Sequence, residues 1–184
     1  PMWARRPGFS SLLHIILEQQ VSLASAQAVM DKLRRLVPRL TPANFLNLTD
    51  KQLKGAGFSH QKTRYARILA TAITDRALDL RDLANLSAEE AHAELTGITG
   101  IGPWTADIYL LMALKHRDIW QLGDLVLRLA MRELFTGELE QLSPVIASSK
   151  AEDELQRTIA LRWQPGRRVA ARICWLHYLK VRNR

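Results

Sequence analysis

Cysteine is nearly absent from this 184-residue chain: Cys174 stands alone. That excludes an internal disulfide and any four-cysteine zinc or iron–sulfur site. It sits in Arg172-Ile173-Cys174-Trp175-Leu176, where a small buried hydrophobe is the expected role. The histidines, His14, His60, His92, His116 and His177, are scattered without the paired spacing of a metal motif. No apolar run approaches the ~20 residues of a membrane span, and no signal-peptide pattern opens the chain. An intracellular, reducing setting is therefore expected, cytoplasmic and at the nucleoid for a bacterial source. Strand-like alternation is scarce. Acidic residues are missing from Arg162 to Arg184, a stretch with seven basic ones.

What is present is charge of one sign and helical periodicity. Lys and Arg number 26 against 18 Asp and Glu, a formal net charge of +8. Such an excess points to a polyanionic partner, nucleic acid first and an anionic membrane surface second. Apolar residues recur at helical spacing, so the fold class is all-α. Helices are expected over 9–18, with Leu12, Leu13, Ile16 and Leu17 as one stripe, and from a Ser22 cap to about Leu36. Short helices should start at Thr41-Pro42 and Asp50, and a longer one at Ser59. Ser87-Ala88-Glu89-Glu90 is a capping box before a helix to about Leu95. Pro103 fits the first position of a helix to about Lys115. Two more are expected, from Leu125 to about Phe135 and from about Pro165 to Val181.

The most informative segment runs from Leu95 to Ala106, where a tight turn with Gly97, Gly100 and Gly102 separates two helices. Glycine permits positive φ and lets backbone approach another surface with no Cβ in the way. The N–H groups at the start of the next helix suit a phosphate. Gly100 and Gly102 are candidate contacts for DNA, with Thr105 adding a hydroxyl; these contacts position a duplex without reading sequence. Ile98 and Ile101 should anchor the turn inward. A plain helical hairpin with capping glycines accounts for the same residues. Asp124, after Gly123 and before Leu125-Val126-Leu127, reads as an N-cap. Asp107, inside the helix after the turn, reads as a solvated or ion-paired acid.

Together these segments resemble the helix-hairpin-helix (HhH-GPD) DNA glycosylase superfamily, in its 3-methyladenine DNA glycosylase II branch. Leu95–Ala106 is similar to the hairpin, and Leu122–Arg128 to the segment where the family places an essential Asp at a helix start. Ile16–Ser22 and Arg162–Arg167 resemble segments of the alkylation-repair branch. The resemblance implies a two-lobed helical fold with a DNA-binding cleft. The chain would form one unit over 1–184, with about 23–124 as one lobe (hairpin 95–106) and 1–22 plus 125–184 as the other. No N-terminal β domain of the larger relatives is expected.

The resemblance further implies a glycosylase for alkylated purines that flips its target base, with Asp124 as the catalytic carboxylate. Trp104 and Trp175 match aromatic pocket positions, and an indole face attracts a methylated, cationic purine. Tyr109 is a further pocket candidate, displaced by one residue from the Tyr of some relatives; one position turns a helical side chain by about 100°. Gln20 stands where relatives insert an apolar wedge, and Arg167, with Arg168 and Arg172, could contact phosphate. Trp3, Trp120 and Trp163 are assigned to the core, or Trp3 to a loose end. Strand-cutting relatives carry Lys after the proline of the hairpin, where this chain has Trp104, so a monofunctional enzyme without lyase activity is implied. The missing cluster cysteines argue against the endonuclease-III-like and adenine-mismatch branches. No cofactor and no side-chain metal site are expected, though some relatives hold a monovalent cation against the carbonyls of this turn. The expected partner is double-stranded DNA with a damaged base, bound by a monomer. Two alternatives stand beside this: a non-catalytic DNA-binding module, and a glycosylase for deaminated, etheno or oxidised bases.

Overall fold

The computed structural model describes residues 4–142 and 148–182, and all regular structure among them is helical. Trp3 lies outside the described residues. The chain divides into two units, Pro1–Leu114 and Lys115–Arg184. This differs from the boundaries expected near residues 22 and 124. The reason is the first helix, α1 (Phe9–Glu18), which packs on elements of the first unit.

In that unit Leu12, Leu13, Ile15, Ile16 and Leu17 of α1 are almost wholly removed from solvent. A helix apolar on nearly all sides must be surrounded, and α1 is packed by α2 (Leu23–Leu36), α5 (His60–Thr74) and α7 (Pro103–Tyr109). Two short helices, α3 (Pro42–Leu46) and α4 (Asp50–Ala56), precede α5. Phe45 of α3 holds a small aromatic cluster, with ring centroids 5.8 Å from Phe9 and 5.9 Å from Phe58. The helix starts are set by short polar side chains. The hydroxyls of Ser22, Thr41, Thr49 and Ser59 each accept a backbone N–H of the first turn. Before α6 (Ala88–Thr96), Ser87 and Glu90 form both halves of the capping box. After α7 the chain continues as a π turn over Leu110–Leu114 and stops at Lys115, whose φ is +63°.

The second unit is built on α8 (Leu125–Leu142), which packs on α9 (Ser149–Ala160) and α10 (Arg167–Val181). Helix α8 runs past its expected end at Phe135, where a non-helical residue (φ −131°) kinks it. Helix α9 is an addition to the elements expected from sequence. It buries Glu152 and Gln156, and Glu152 accepts two hydrogen bonds from Arg132 of α8. Asp153 beside it takes both Nε and Nη2 of Arg128. Cys174 is buried among apolar neighbours, as expected, and burial pushes its thiol up to about 11. Trp120 and Trp163 pack together with centroids 5.5 Å apart. No described helix is long and apolar enough to cross a membrane.

Candidate active site

In the second unit, Gly123 adopts φ +80° and turns the chain into α8. Asp124 follows it at the head of that helix. Its carbonyl accepts Arg128 N–H at 2.9 Å, and its carboxylate Oδ1 accepts Leu127 N–H at 2.7 Å. A second donor arrives from α10: Trp175 Nε1–H reaches the same Oδ1 at 3.2 Å. Backbone on one side and an indole on the other thus orient a single carboxylate. Trp175 is only 6% exposed. The capping geometry and the carboxylate–indole pair are therefore present together. Sequence spacing leaves the first open and cannot show the second.

In the first unit the turn between α6 and α7 is braced from three sides. Ile101 is buried beneath it, as its anchoring role requires, and Ile98 is half-buried. Gly100 has φ +99°, and Tyr65 of α5 lies directly against its Cα. Gln19, at the end of α1, donates from Nε2 to Gly100 O and to Thr105 Oγ1, both at 2.9 Å. Gly102 differs from Gly100: it is exposed, and a Cβ there would meet nothing within 4 Å. Trp104 is half-buried at the second position of α7.

The next residue after Gln19 is exposed and left-handed: Gln20 has φ +57°. A non-glycine residue there stores strain that the surroundings must sustain. Lys62 of α5 helps, donating from Nζ to Leu17 O at 2.5 Å, the C-terminal end of α1. Burial holds the Lys62 ammonium below its ordinary range. Val21 and Leu23 are exposed beside Gln20, at 45% and 65%.

Three expected placements are corrected. The Thr105 hydroxyl is turned inward to Gln19 and is not presented to a phosphate. Tyr109 is fully buried, and its phenol oxygen accepts Gly8 N–H at 2.9 Å, so it is a core residue rather than a pocket wall. Arg167 is committed to Asp118 through Nε at 2.6 Å and Nη2 at 2.8 Å. That pair holds the Asp118 carboxyl below the usual range, against the opposing effect of desolvation. Arg168 likewise donates to Lys115 O at 2.6 Å. Gln19 braces the turn across 81 positions of sequence, a contact that spacing cannot show; its place beside Gln20 at a helix end is the only local signal.

Asp107 is neither solvated nor strongly paired. Its side chain is 14% exposed, with His92 Nε2 3.5 Å away, and burial pushes its pKa up to about 7. Between about 4 and 7 the unfolded chain would have lost this proton while the fold keeps it, so the group's contribution to stability falls as pH rises through that window. Asp107→Asn removes the ionisation but leaves a buried amide and gives up the histidine interaction. We expect it to raise stability by on the order of 1 kcal/mol at pH 8 and by close to nothing at pH 4. Paired thermal melts of the two proteins across that range check it; a pH-independent difference would discard the explanation.

Among the described residues no three His, Cys, Asp or Glu side chains gather as metal ligands. Comparison with known proteins agrees with the helical architecture. Residues 13–162 match the family described as HhH-GPD superfamily base excision DNA repair protein. DNA-3-methyladenine glycosylase 1 of Schizosaccharomyces pombe is 25% identical over 134 residues, covering 71% of this chain and 59% of that protein. Endonuclease III of Sulfolobus acidocaldarius is 30% identical over 114 residues, covering 60% and 49%. The chain thus spans roughly half the length of these curated relatives. The crystal structure of a DNA-3-methyladenine glycosidase from Bacillus halodurans superposes with a TM-score of 0.81 at 25% identity, covering 98% of this chain and 79% of that one. With the family match running from α1 into the residues that follow α9, the chain belongs to the HhH-GPD superfamily of base excision DNA repair proteins.

Proposed function

We propose that this protein is a monofunctional DNA glycosylase that hydrolyses the N-glycosidic bond of alkylated purines, 3-methyladenine and 7-methylguanine in type, in double-stranded DNA. It acts as a monomer after flipping the damaged nucleotide out of the helix. The observation that carries this reading is the Asp124 carboxylate, gripped at Oδ1 by Leu127 N–H and Trp175 Nε1–H. Breaking the C1′–N bond sends its electron pair to the base and leaves positive charge on the sugar, as in glycoside hydrolysis. A fixed negative charge stabilises that state, and more so where water is excluded. Water then bonds to C1′ and gives up a proton, for which the same carboxylate is the acceptor. One carboxylate suffices because an alkylated purine is already cationic and departs neutral.

Trp175 and Trp104 are the aromatic residues we assign to the damaged base, since an indole face favours a cationic purine by about 0.5–2 kcal/mol over a neutral one. Gln20, exposed on its braced turn, is assigned to fill the gap left by the flipped base and to hydrogen-bond its orphaned partner. The hairpin backbone at Gly100 and Gly102 is assigned to phosphate. The carbonyls of the same turn are assigned to a monovalent cation, on the ground that Ile98 O and Gly100 O each accept one hydrogen bond and keep a second lone pair. No step of the hydrolysis is assigned to it. Support from relatives is by name. The Schizosaccharomyces pombe protein and the Bacillus halodurans structure are both called 3-methyladenine enzymes. Against a strand-cutting reading, suggested by the endonuclease III likeness, stands Trp104, which has no amine to attack C1′.

The test is a panel of duplexes, each with one lesion, incubated with the full chain and scored for abasic sites with and without alkali. Release of methylated purines, with strand breaks only after alkali, is the expected result. Release confined to deaminated, etheno or oxidised bases would move the substrate assignment. Breaks without alkali would overturn the monofunctional one.

A further inference from the structure

The turn assigned to phosphate sits in a stretch of the wrong charge. From Asp82 to Leu114 there is no Lys or Arg, while Asp82, Glu89, Glu90, Glu94 and Asp107 are all acidic. Backbone N–H groups can hold a phosphate at short range, but the long-range attraction of a polyanion comes from cations. In the first unit many cations are already engaged: Arg5 with Glu18, Arg34 with Asp31, Arg67 with Asp50, and Lys62 with a carbonyl.

One group is not. Helices α2 and α4 pack together, and a shallow groove of about 360 Å3 lies between their C-terminal turns, lined by Lys32, Arg35, Leu36, Gln52, Gly55 and Ala56. Lys51, in the first turn of α4, and Lys54, in its last, are further exposed cations of the same helix, outside the groove's lining. All four cations are exposed, and among the described residues none makes an ion pair or a side-chain hydrogen bond. No acidic side chain lines the groove. The ordinary explanation is that basic residues offset helix C-termini. Two termini supply about −0.5 charge each, roughly −1 against four positive charges, so an excess near +3 is left over.

We propose that this groove, with the two lysines of α4, is a second nucleic-acid contact, in which Lys32, Arg35, Lys51 and Lys54 hold the sugar–phosphate backbone of duplex outside the damaged nucleotide. It supplies the attraction that the acidic hairpin stretch lacks. The inference rests on the DNA-glycosylase reading for its partner but not on the chemistry of Asp124. It predicts an interaction that depends on duplex length and on salt, and is blind to sequence and damage.

The test is equilibrium binding of the full chain to undamaged duplexes of about 10 and about 30 base pairs, the longer spanning roughly 100 Å at 3.4 Å per pair. Wild type is compared with Lys32→Gln/Arg35→Gln/Lys51→Gln/Lys54→Gln and with a control, Arg76→Gln/Arg81→Gln, across a salt series. On the longer duplex the fourfold variant should flatten the slope of log K against log salt by about 2–3, at roughly 0.9 for each phosphate no longer neutralised. The shorter duplex and the control should show no change, and thermal melts should match because every substituted side chain is exposed. An unchanged slope, or an equal change in the control, overturns the proposal. So does loss of poly-glutamate binding with the duplex slope intact, which would assign the groove to an acidic protein. A chain that shows the predicted slopes but releases no base sinks the glycosylase reading and leaves this surface standing.

Discussion

Asp124→Asn should cost at least ~100-fold in the rate of base release from methylated DNA, the scale seen when a key electrostatic group is removed from an active site. The substitution is suited to the geometry. The Asn side-chain oxygen can still accept Leu127 N–H and Trp175 Nε1–H, so the cap and the indole contact survive. Stability should therefore stay within about 1 kcal/mol of wild type, because the capping residues Asp and Asn rank alike. What disappears is the negative charge. A 100-fold loss corresponds to about 2.7 kcal/mol of transition-state stabilisation. Single-turnover release with saturating enzyme isolates that step from binding, and a melt of the same sample shows whether the fold is intact. Equal rates for the two proteins would remove Asp124 from the mechanism and assign the release to another group.

The catalytic part of that prediction is what the family resemblance implies, whereas its capping part can be framed from sequence because the residues around Asp124 announce a helix start. The same holds for Ser22, Thr41, Ser59 and Ser87, whose hydroxyls do cap the helices they precede. Caps are local chemistry, so they are legible one turn at a time. Helix α9 is not legible, for an opposite reason. Its buried face includes Glu152 and Gln156, satisfied by Arg132 and by the Arg128 carbonyl, and a polar stripe gives no hydrophobic period to read. Side-chain direction is the other gap. Thr105, Tyr109 and Arg167 have the residue types a DNA site uses, yet each is held elsewhere by a partner remote in the chain. Thr105 meets Gln19 across 86 positions, Tyr109 meets Gly8 across 101, and Arg167 meets Asp118 across 49. No short-range pattern reports such partners. The Asp124–Trp175 contact spans 51 positions, and only the family resemblance anticipates that both residues belong to one site.

The glycines of the hairpin separate two demands that sequence merges. Gly100→Ala should be the most damaging single methyl group in the first unit. A Cβ there would lie 2.3 Å from Tyr65 Cγ, 2.6 Å from its Cβ and 2.7 Å from Cδ1. Those atoms are the root of a ring on α5, with no flexible end to swing aside. The backbone at φ +99° is also one that L side chains rarely adopt. Overpacking costs about 1–3 kcal/mol and backbone strain a similar amount. The sum, about 3–5 kcal/mol, should lower the melting temperature by about 10 °C in a domain of this size. Displacing Gly100 would also strain the Gln19 bond that ties the turn to α1. A double-mutant cycle tests the cause. With Tyr65→Gly already present, adding Gly100→Ala should cost only the backbone share, about half, because both the ring and the Cβ 2.6 Å away are gone. Gly102→Ala meets open space and ordinary φ, so its melt should stay within about 0.5 kcal/mol of wild type. Any loss of DNA affinity in that variant then reports the close approach of phosphate to the backbone. If Gly100→Ala melts like wild type, Tyr65 does not brace this turn.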